Sequence, residues 1–371
     1  MATLIAQPEC YIGLMSGTST DGVDGVLADF TAPGGIRTLS AASLPMPQAL
    51  RNEFLALNSP GANELDRAAR AAVALAHLYS NVVDRLLDEA GLARDQVQAI
   101  GAHGQTVRHA PESAYSIQLN APAHLAELTG IDVVADFRSR DIAAGGQGAP
   151  LVPAFHAAWF GLDTPRTILN LGGIANVTIL NETVLGFDTG PANMLMDLWA
   201  QQHLGQAYDQ DGRWAAQGRS NPALLERMLS DPWFDRPPPK STGRDYFNET
   251  WLQDMLSAMP EGLGLAPTDV MATLMELTVQ SIARAVLEHA SGTREVLACG
   301  GGALNSRLMD ALARALPCPL YSTDRAGMPV QTVEALAFAW LAYAHVHRIP
   351  ASLPAVTGAR HPSVAGCLYP G

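Results

Sequence analysis

Positive charge is scarce in this 371-residue chain: 23 Lys and Arg stand against 36 Asp and Glu, giving a formal net charge of −13 at pH 7. Nucleic acid binders carry clustered basic side chains, so nucleic acid drops out of the expected partners. An acidic average does not forbid anion binding, because backbone N–H groups can supply it locally. Cysteine is sparse as well. Cys10, Cys299, Cys318 and Cys367 are scattered, with no pair at metal-ligand spacing, as expected of reduced thiols in a cytoplasmic protein. No apolar run reaches the roughly 18 residues of a membrane span. The opening MATLIAQPEC also lacks the basic-then-apolar pattern of a secretory leader. A cytoplasmic protein without a membrane partner is expected. With 48% hydrophobic and 16% charged residues the chain is globular and not disordered, and its length points to two domains.

Two apolar strands around a short glycine-bearing turn form a hairpin over residues 10–30, with Gly17, Thr18, Ser19, Thr20, Asp21 and Gly22 at its tip. A helical repeat of apolar residues runs from Asn63 to Ala90 and stops at Gly91. A buried strand over 97–100 leads into Gly101-Ala102-His103-Gly104-Gln105-Thr106, and a second, IDVVADF, leads into the glycine-rich connector RSRDIAAGGQGAP. The domain boundary is expected near there: 1–147 for the first domain, 148–345 for the second, and 346–371 as a tail packing back on the first. The second half opens like the first, with strand, Gly172-Gly173 and strand over 167–180, which suggests duplicated halves. The stretch PWFDRPPPKSTGR, 232–244, is expected to be loop. Helices are expected over 268–290, 306–316 and 334–345, a strand over 295–299, and an irregular tail from Pro350.

Certain residues carry candidate chemistry. At the first hairpin tip, small residues let successive N–H groups converge on phosphate oxygens, and Ser16, Thr18, Ser19 and Thr20 offer hydroxyls. Asp21 or Asp24 could hold Mg²⁺ through water. No Lys follows the glycines and a strand comes next, so this is no Walker A loop. The plain alternative is a tight turn with solvated hydroxyls. Gly300, Gly301 and Gly302 bare the backbone between a strand and a helix, where a flat base or ribose could lie; a flexible turn is the alternative. Asp188, in GFDTGPAN, stands at a strand end as a general base or as a cap for the next helix. Arg138 and Arg140 alternate on a strand-like segment, where at least one could reach an anionic substrate; the alternative is a surface pairing of Arg140 with Asp141 or Asp136.

The segments GLMSGTSTDGVDGVLADF, AHGQTVRH, DFRSRDIAAGGQGAPLVPAFH, TILNLGGIANVT, FDTGPANMLMD, CGGGALN and VEALAFAWLA run in order over roughly residues 11–345. Together they resemble the 1,6-anhydro-N-acetylmuramic acid kinase family, within the superfamily of acetate and sugar kinases, heat-shock chaperones and actin. That resemblance implies an α/β fold of two duplicated actin- and hexokinase-like (ribonuclease H-like) domains flanking an interdomain cleft for ATP and substrate. It implies ATP-dependent phosphorylation of the sugar O6 with hydrolytic opening of the 1,6-anhydro bond, using ATP and Mg²⁺. Ser16 to Gly22, Gly172 and Gly173 would then cradle the phosphates, and Gly300 to Gly302 with Asn305 would back the adenosine. Asp188 would be the base, and His103, Gln105, Thr106, Arg138 and Glu334 would face the sugar. The metal ligands are not assigned, and a homodimer is one assembly the sequence allows. Gln118-Leu119-Asn120-Ala121 departs from the Gln-Ile-Gly-Asp type of stretch expected there.

Overall fold

The computed structural model describes residues 8–17, 20–32, 35–244, 246–260 and 264–371, so Thr18 and Ser19 of the first hairpin tip lie outside the described residues. The chain divides into two compact units, Met1–Phe160 with Thr332–Gly371, and Gly161–Gln331.

In the first unit, β1 (Cys10–Met15), β2 (Gly22–Asp29) and β3 (Arg37–Pro45) form an antiparallel meander. Then come β4 (Val97–Ala102), the separate hairpin β5 (Gln105–Ala110) and β6 (Tyr115–Leu119), and β7 (Val133–Ala135). β4 joins β1 in parallel and β7 joins β4 in parallel, so the sheet reads β3-β2-β1-β4-β7. The second unit is built from β8 (Arg166–Leu171), β9 (Ile174–Leu180), β10 (Val184–Pro191), β11 (Val296–Cys299) and β12 (Leu320–Ser322). Its sheet reads β10-β9-β8-β11-β12, again three antiparallel strands followed by two parallel ones. Third, second, first, fourth, fifth is the order in both units. The duplication expected from the paired hairpins is therefore present in the strand topology, and the fold is α/β.

Two helices sandwich the first sheet, and glycines set how close they come. A Cβ at Gly13 would sit 1.8 Å from Ala335 O, and one at Gly101 would sit 2.0 Å from Phe338 O. Helix Val333–Val346 therefore rests its backbone directly on β1 and β4. On the opposite face, Gly25 makes room for Val82 and Leu86 of helix Glu64–Ala90. That helix ends at Gly91 in the left-handed conformation (φ 64°), as the sequence predicts.

This packing corrects the expected domain limits. Helix Val333–Val346 belongs with the first unit and not the second, and so does helix Val152–Phe160, whose Phe155 ring packs against Trp340. The tail is also more ordered than expected: helix Pro354–Thr357 is followed by β13 (Cys367–Tyr369), which pairs antiparallel with β7 at the sheet edge. Residues 232–244 contain neither strand nor α-helix. The second core is centred on helix Pro267–His289, which buries Val270, Leu274, Leu277, Ile282 and Val286. Among the described helices this one alone is long and apolar enough to cross a membrane, and 72% of its most apolar window is buried inside the protein.

Candidate active site

In the first unit Ser16, Gly17, Gln105, His103 and Arg138 meet in one hydrogen-bond network. Beyond β1, Thr20 N–H donates back to Gly17 O at 3.1 Å, closing a turn, and Thr20 takes φ 52°. Ser16 is buried, and its hydroxyl donates to Gln105 Oε1; Gln105 Nε2 in turn donates to Gly17 O at 3.1 Å. The Ser16 hydroxyl thus ties the turn to β5. Gly22 serves strand packing, because a Cβ there would sit 2.7 Å from Leu44 O. Asp21 is exposed at the end of the turn, and its carbonyl accepts from Met46 N–H at 2.9 Å.

His103 links this turn to Arg138. Its Nδ1 lies 3.2 Å from Ser16 O, and its Nε2 lies 2.9 Å from Arg138 Nη2. A carbonyl only accepts and a guanidinium only donates, so the proton sits on Nδ1 and Nε2 accepts. Burial, then the Arg138 charge, push the His103 pKa down to about 3, so the ring is neutral across the physiological range. Arg138 Nη1 donates to Gly148 O at 2.7 Å, while its Nε is buried without a hydrogen-bond partner. Burial lowers the Arg138 pKa to about 10, against the pull of Glu334 and Asp141, which leaves the guanidinium charged at neutral pH. Glu334 stands in the first turn of helix Val333–Val346. Thr106 is placed differently, on the β5–β6 hairpin, where its hydroxyl accepts from Gln118 Nε2 at 3.2 Å.

The strand expected to carry both arginines is absent. β7 ends at Ala135, Asp136 turns the chain with φ 58°, and helix Ser139–Ala143 begins. Arg138 is therefore tucked in against His103 and Gly148, and Arg140 is exposed.

In the second unit, Gly172 and Gly173 turn β8 into β9. Their carbonyls accept from the start of helix Asn193–Leu204: Asn193 N–H on Gly172 O at 3.1 Å, Ala192 and Met194 N–H on Gly173 O at 2.9 and 3.1 Å. The three consecutive glycines do different jobs. A Cβ at Gly300 would meet Asn170 Oδ1 at 2.4 Å, and one at Gly302 would meet Leu171 Cβ at 2.8 Å and Asn193 Oδ1 at 3.0 Å. At Gly301 a Cβ would meet nothing within 4 Å, so bare exposed backbone is offered there. Asn305 caps helix Ser306–Ala315, its side-chain oxygen accepting from Leu308 N–H at 3.1 Å. Asn193, which carries no sequence signal of its own, fastens the start of helix Asn193–Leu204 to the Gly172-Gly173 turn by donating to Leu171 O at 2.9 Å.

Asp188 lies on β10, next to a register shift against β9 that falls between Asp188 and Gly190. Two backbone contacts from the 232–244 loop hold it: its N–H donates to Lys240 O at 3.0 Å, and Thr242 N–H donates to its Oδ2 at 2.9 Å. It does not cap the next helix, whose N-cap is Ala192, with no side-chain bond. Burial raises its pKa to about 7, while the Thr242 N–H and the Lys240 charge pull the other way. A carboxyl group that titrates near neutrality and is held by fixed donors has the properties of a general base.

Lys240 is the only lysine in the chain. Its ammonium donates to Phe234 O at 2.8 Å and lies 4.6 Å from the centre of the Trp233 ring, pinning the proline-rich loop that grips Asp188. A lone lysine inside PPPKSTGR is the signal that could have marked it. Among the described residues no group of three or more His, Cys, Asp and Glu could enclose a metal ion.

Residues 9–371 match the family model for anhydro-N-acetylmuramic acid kinase. A relative of that name from Bordetella parapertussis (strain 12822) is 60% identical over 363 residues, covering 97% of this chain and 96% of its own. Another from Burkholderia orbicola (strain MC0-3) is 53% identical over 369 residues, with the same coverage of 97% and 96%. Among solved structures, the activator of the 2-hydroxyisocaproyl-CoA dehydratase from Clostridium difficile, with bound ADPNP, superposes with a TM-score of 0.47 at 16% identity, over 91% of this chain and 96% of that one. A ROK family glucokinase from Streptomyces griseus, in complex with glucose and AMPPNP, gives 0.41 at 12% identity, over 90% and 98%. With a family match that runs from residue 9 to the final glycine, and relatives identical at more than half their positions, this chain belongs to the anhydro-N-acetylmuramic acid kinase family.

Proposed function

We infer that the protein transfers the γ-phosphoryl group of ATP to O6 of 1,6-anhydro-N-acetylmuramic acid while water opens the anhydro ring. The products are N-acetylmuramic acid 6-phosphate and ADP, and the step belongs to peptidoglycan recycling in the cytoplasm. The observation that carries the reading is Asp188: a half-buried carboxyl group, fixed by the backbone of Lys240 and Thr242, that titrates near neutrality and caps no helix.

In the anhydro sugar O6 is bonded to C1, so no free hydroxyl is available to attack phosphorus. Asp188 takes a proton from a water molecule, whose oxygen bonds to C1. The C1–O6 bond breaks, and its electron pair on O6 forms the new bond to the γ-phosphorus as ADP departs. The arrangement parallels an inverting glycosidase in which the phosphoryl group replaces the acid on the leaving oxygen. From the family resemblance, the phosphates are assigned to backbone N–H groups of the stretch from Ser16 to Gly22 and of Gly172 and Gly173, and the adenosine to Gly301. Gly300, Gly302 and Asn305 support that contact from behind. Thr18 and Ser19 are assigned to the phosphate turn from the sequence alone. His103, Gln105, Thr106 and Glu334 face the sugar, and Arg138 meets its lactyl carboxylate with a charge-assisted bond.

The absence of an all-protein metal cage among the described residues suits Mg²⁺, which keeps its waters and is held by one or two carboxylates plus substrate phosphates. Asp21, exposed at the turn, is the candidate carboxylate; the ion would neutralise phosphate charge. The four cysteines are free thiols, in keeping with a reducing compartment.

Purified protein with Mg-ATP and the anhydro sugar tests the reading. ADP and sugar 6-phosphate should appear in equal amounts, with little ADP when the sugar is left out. ADP release that does not depend on the sugar would reject it.

A further inference from the structure

We propose that the C-terminal segment from Ser352 to Arg360 is a positioning element for Arg138, acting through the buried carboxylate of Asp141. This stretch grips the connector behind Arg138 at several points. Asp141 is 1% exposed, and its carboxylate accepts from Thr357 Oγ1 at 2.7 Å, from Gly148 N–H at 2.7 Å and from the Ser352 hydroxyl. Beside it, Gln147 N–H donates to Thr357 O at 2.9 Å, Arg360 N–H donates to Ala144 O at 2.9 Å, and the Arg360 guanidinium donates to Ala143 O at 3.2 Å.

Gly148 is the relay. With φ 68° it adopts a conformation that favours glycine, and there its N–H faces Asp141 while its carbonyl accepts Arg138 Nη1 at 2.7 Å. From Arg138 the chain of bonds continues to His103 and on to Ser16 O. A buried carboxylate is costly unless its lone pairs are satisfied, and two of its three donors come from the tail. Removing them frees Asp141 to rotate and loosens the one carbonyl that orients Arg138. The effect is that of an outer partner on an inner ligand, felt in binding without contact to the substrate.

This inference rests on Arg138 as the carboxylate contact of the sugar, so the experiment separates the two. Steady-state kinetics are measured for Thr357→Val, Thr357→Ser, Ser352→Ala with Thr357→Val, and Arg138→Ala. Each is assayed with the muramic sugar and with an anhydro-glucosamine analogue that lacks the carboxylate. Thr357→Val should raise KM for the muramic sugar roughly tenfold, leaving kcat and the KM for ATP within about twofold. The analogue should show little change, Thr357→Ser should restore the wild-type value, and the double variant should lose more. Should the double variant fail to fold, the isosteric Thr357→Val carries the test alone. A lowered melting temperature with unchanged sugar KM would make the tail merely structural and overturn the inference, leaving the Arg138 reading intact. No change of sugar KM in Arg138→Ala would overturn both.

Discussion

Asp188 gains its chemistry from where its backbone runs. Its ordinary value of 3.8 is raised to about 7 by burial, so roughly half the molecules hold an ionised base at neutrality. Only the ionised form accepts a proton, so kcat/KM should fall as pH drops through about 7. Stability runs the other way. Between 3.8 and about 7 the folded state keeps a proton that the unfolded chain has released, so raising the pH through this window lowers stability. Asp188→Asn should therefore lose about 10²–10⁴ in turnover. In thermal melts it should be at least as stable as wild type at pH 8, with the advantage fading toward pH 5. A marked loss of stability at pH 8 would show a structural carboxylate. Lys240→Met should move the acid limb of the pH profile upward, because it removes the cation that favours the ionised form and loosens the loop. Asp188 was legible as an acid between a strand and Thr-Gly-Pro. Its grip by Lys240 and Thr242 was not, because those contacts join residues more than fifty positions apart. Arg138 is legible for its charge but not for its conformation: the sequence predicts strand alternation, whereas Asp136 turns the chain into a helix.

Among the elements, the glycine turns divide into those that bare backbone and those that admit a neighbour. Gly301→Ala should leave folding unchanged and weaken ATP, since its Cβ points into open space where the adenosine is proposed to lie. Gly300→Ala should destabilise, because its Cβ would collide with Asn170 and the Leu171 backbone at a φ of 81°. Urea unfolding with ATP titration on both variants checks the pair; equal stability and equal ATP affinity would merge the two roles. Gly101→Val sets a helix backbone against a branched side chain 2.0 Å away, and should cost more than about 3 kcal/mol or abolish folding. The hairpins and helix Glu64–Ala90 could be read from periodicity and turn residues. The seat of helix Val333–Val346 could not, since the reason for Gly13 and Gly101 is a backbone more than two hundred residues away.

For the whole molecule, the repeated strand–glycine–strand opening announces two related units, and the two sheets share one order over five strands, to which β13 adds a sixth at the edge of the first. The limits of the units were misplaced because the chain returns to the first unit from Thr332 onward, by packing that no local pattern records. The central claim is that one catalytic event opens a C1–O6 bond with water and phosphorylates the freed oxygen. Turnover in ¹⁸O-labelled water tests it most directly, with the product followed by mass spectrometry and by NMR of the anomer first formed. The account predicts ¹⁸O on C1 of the sugar phosphate, none in the phosphate group, and inverted configuration at C1. Label in the phosphate, or a retained anomeric configuration, would contradict it.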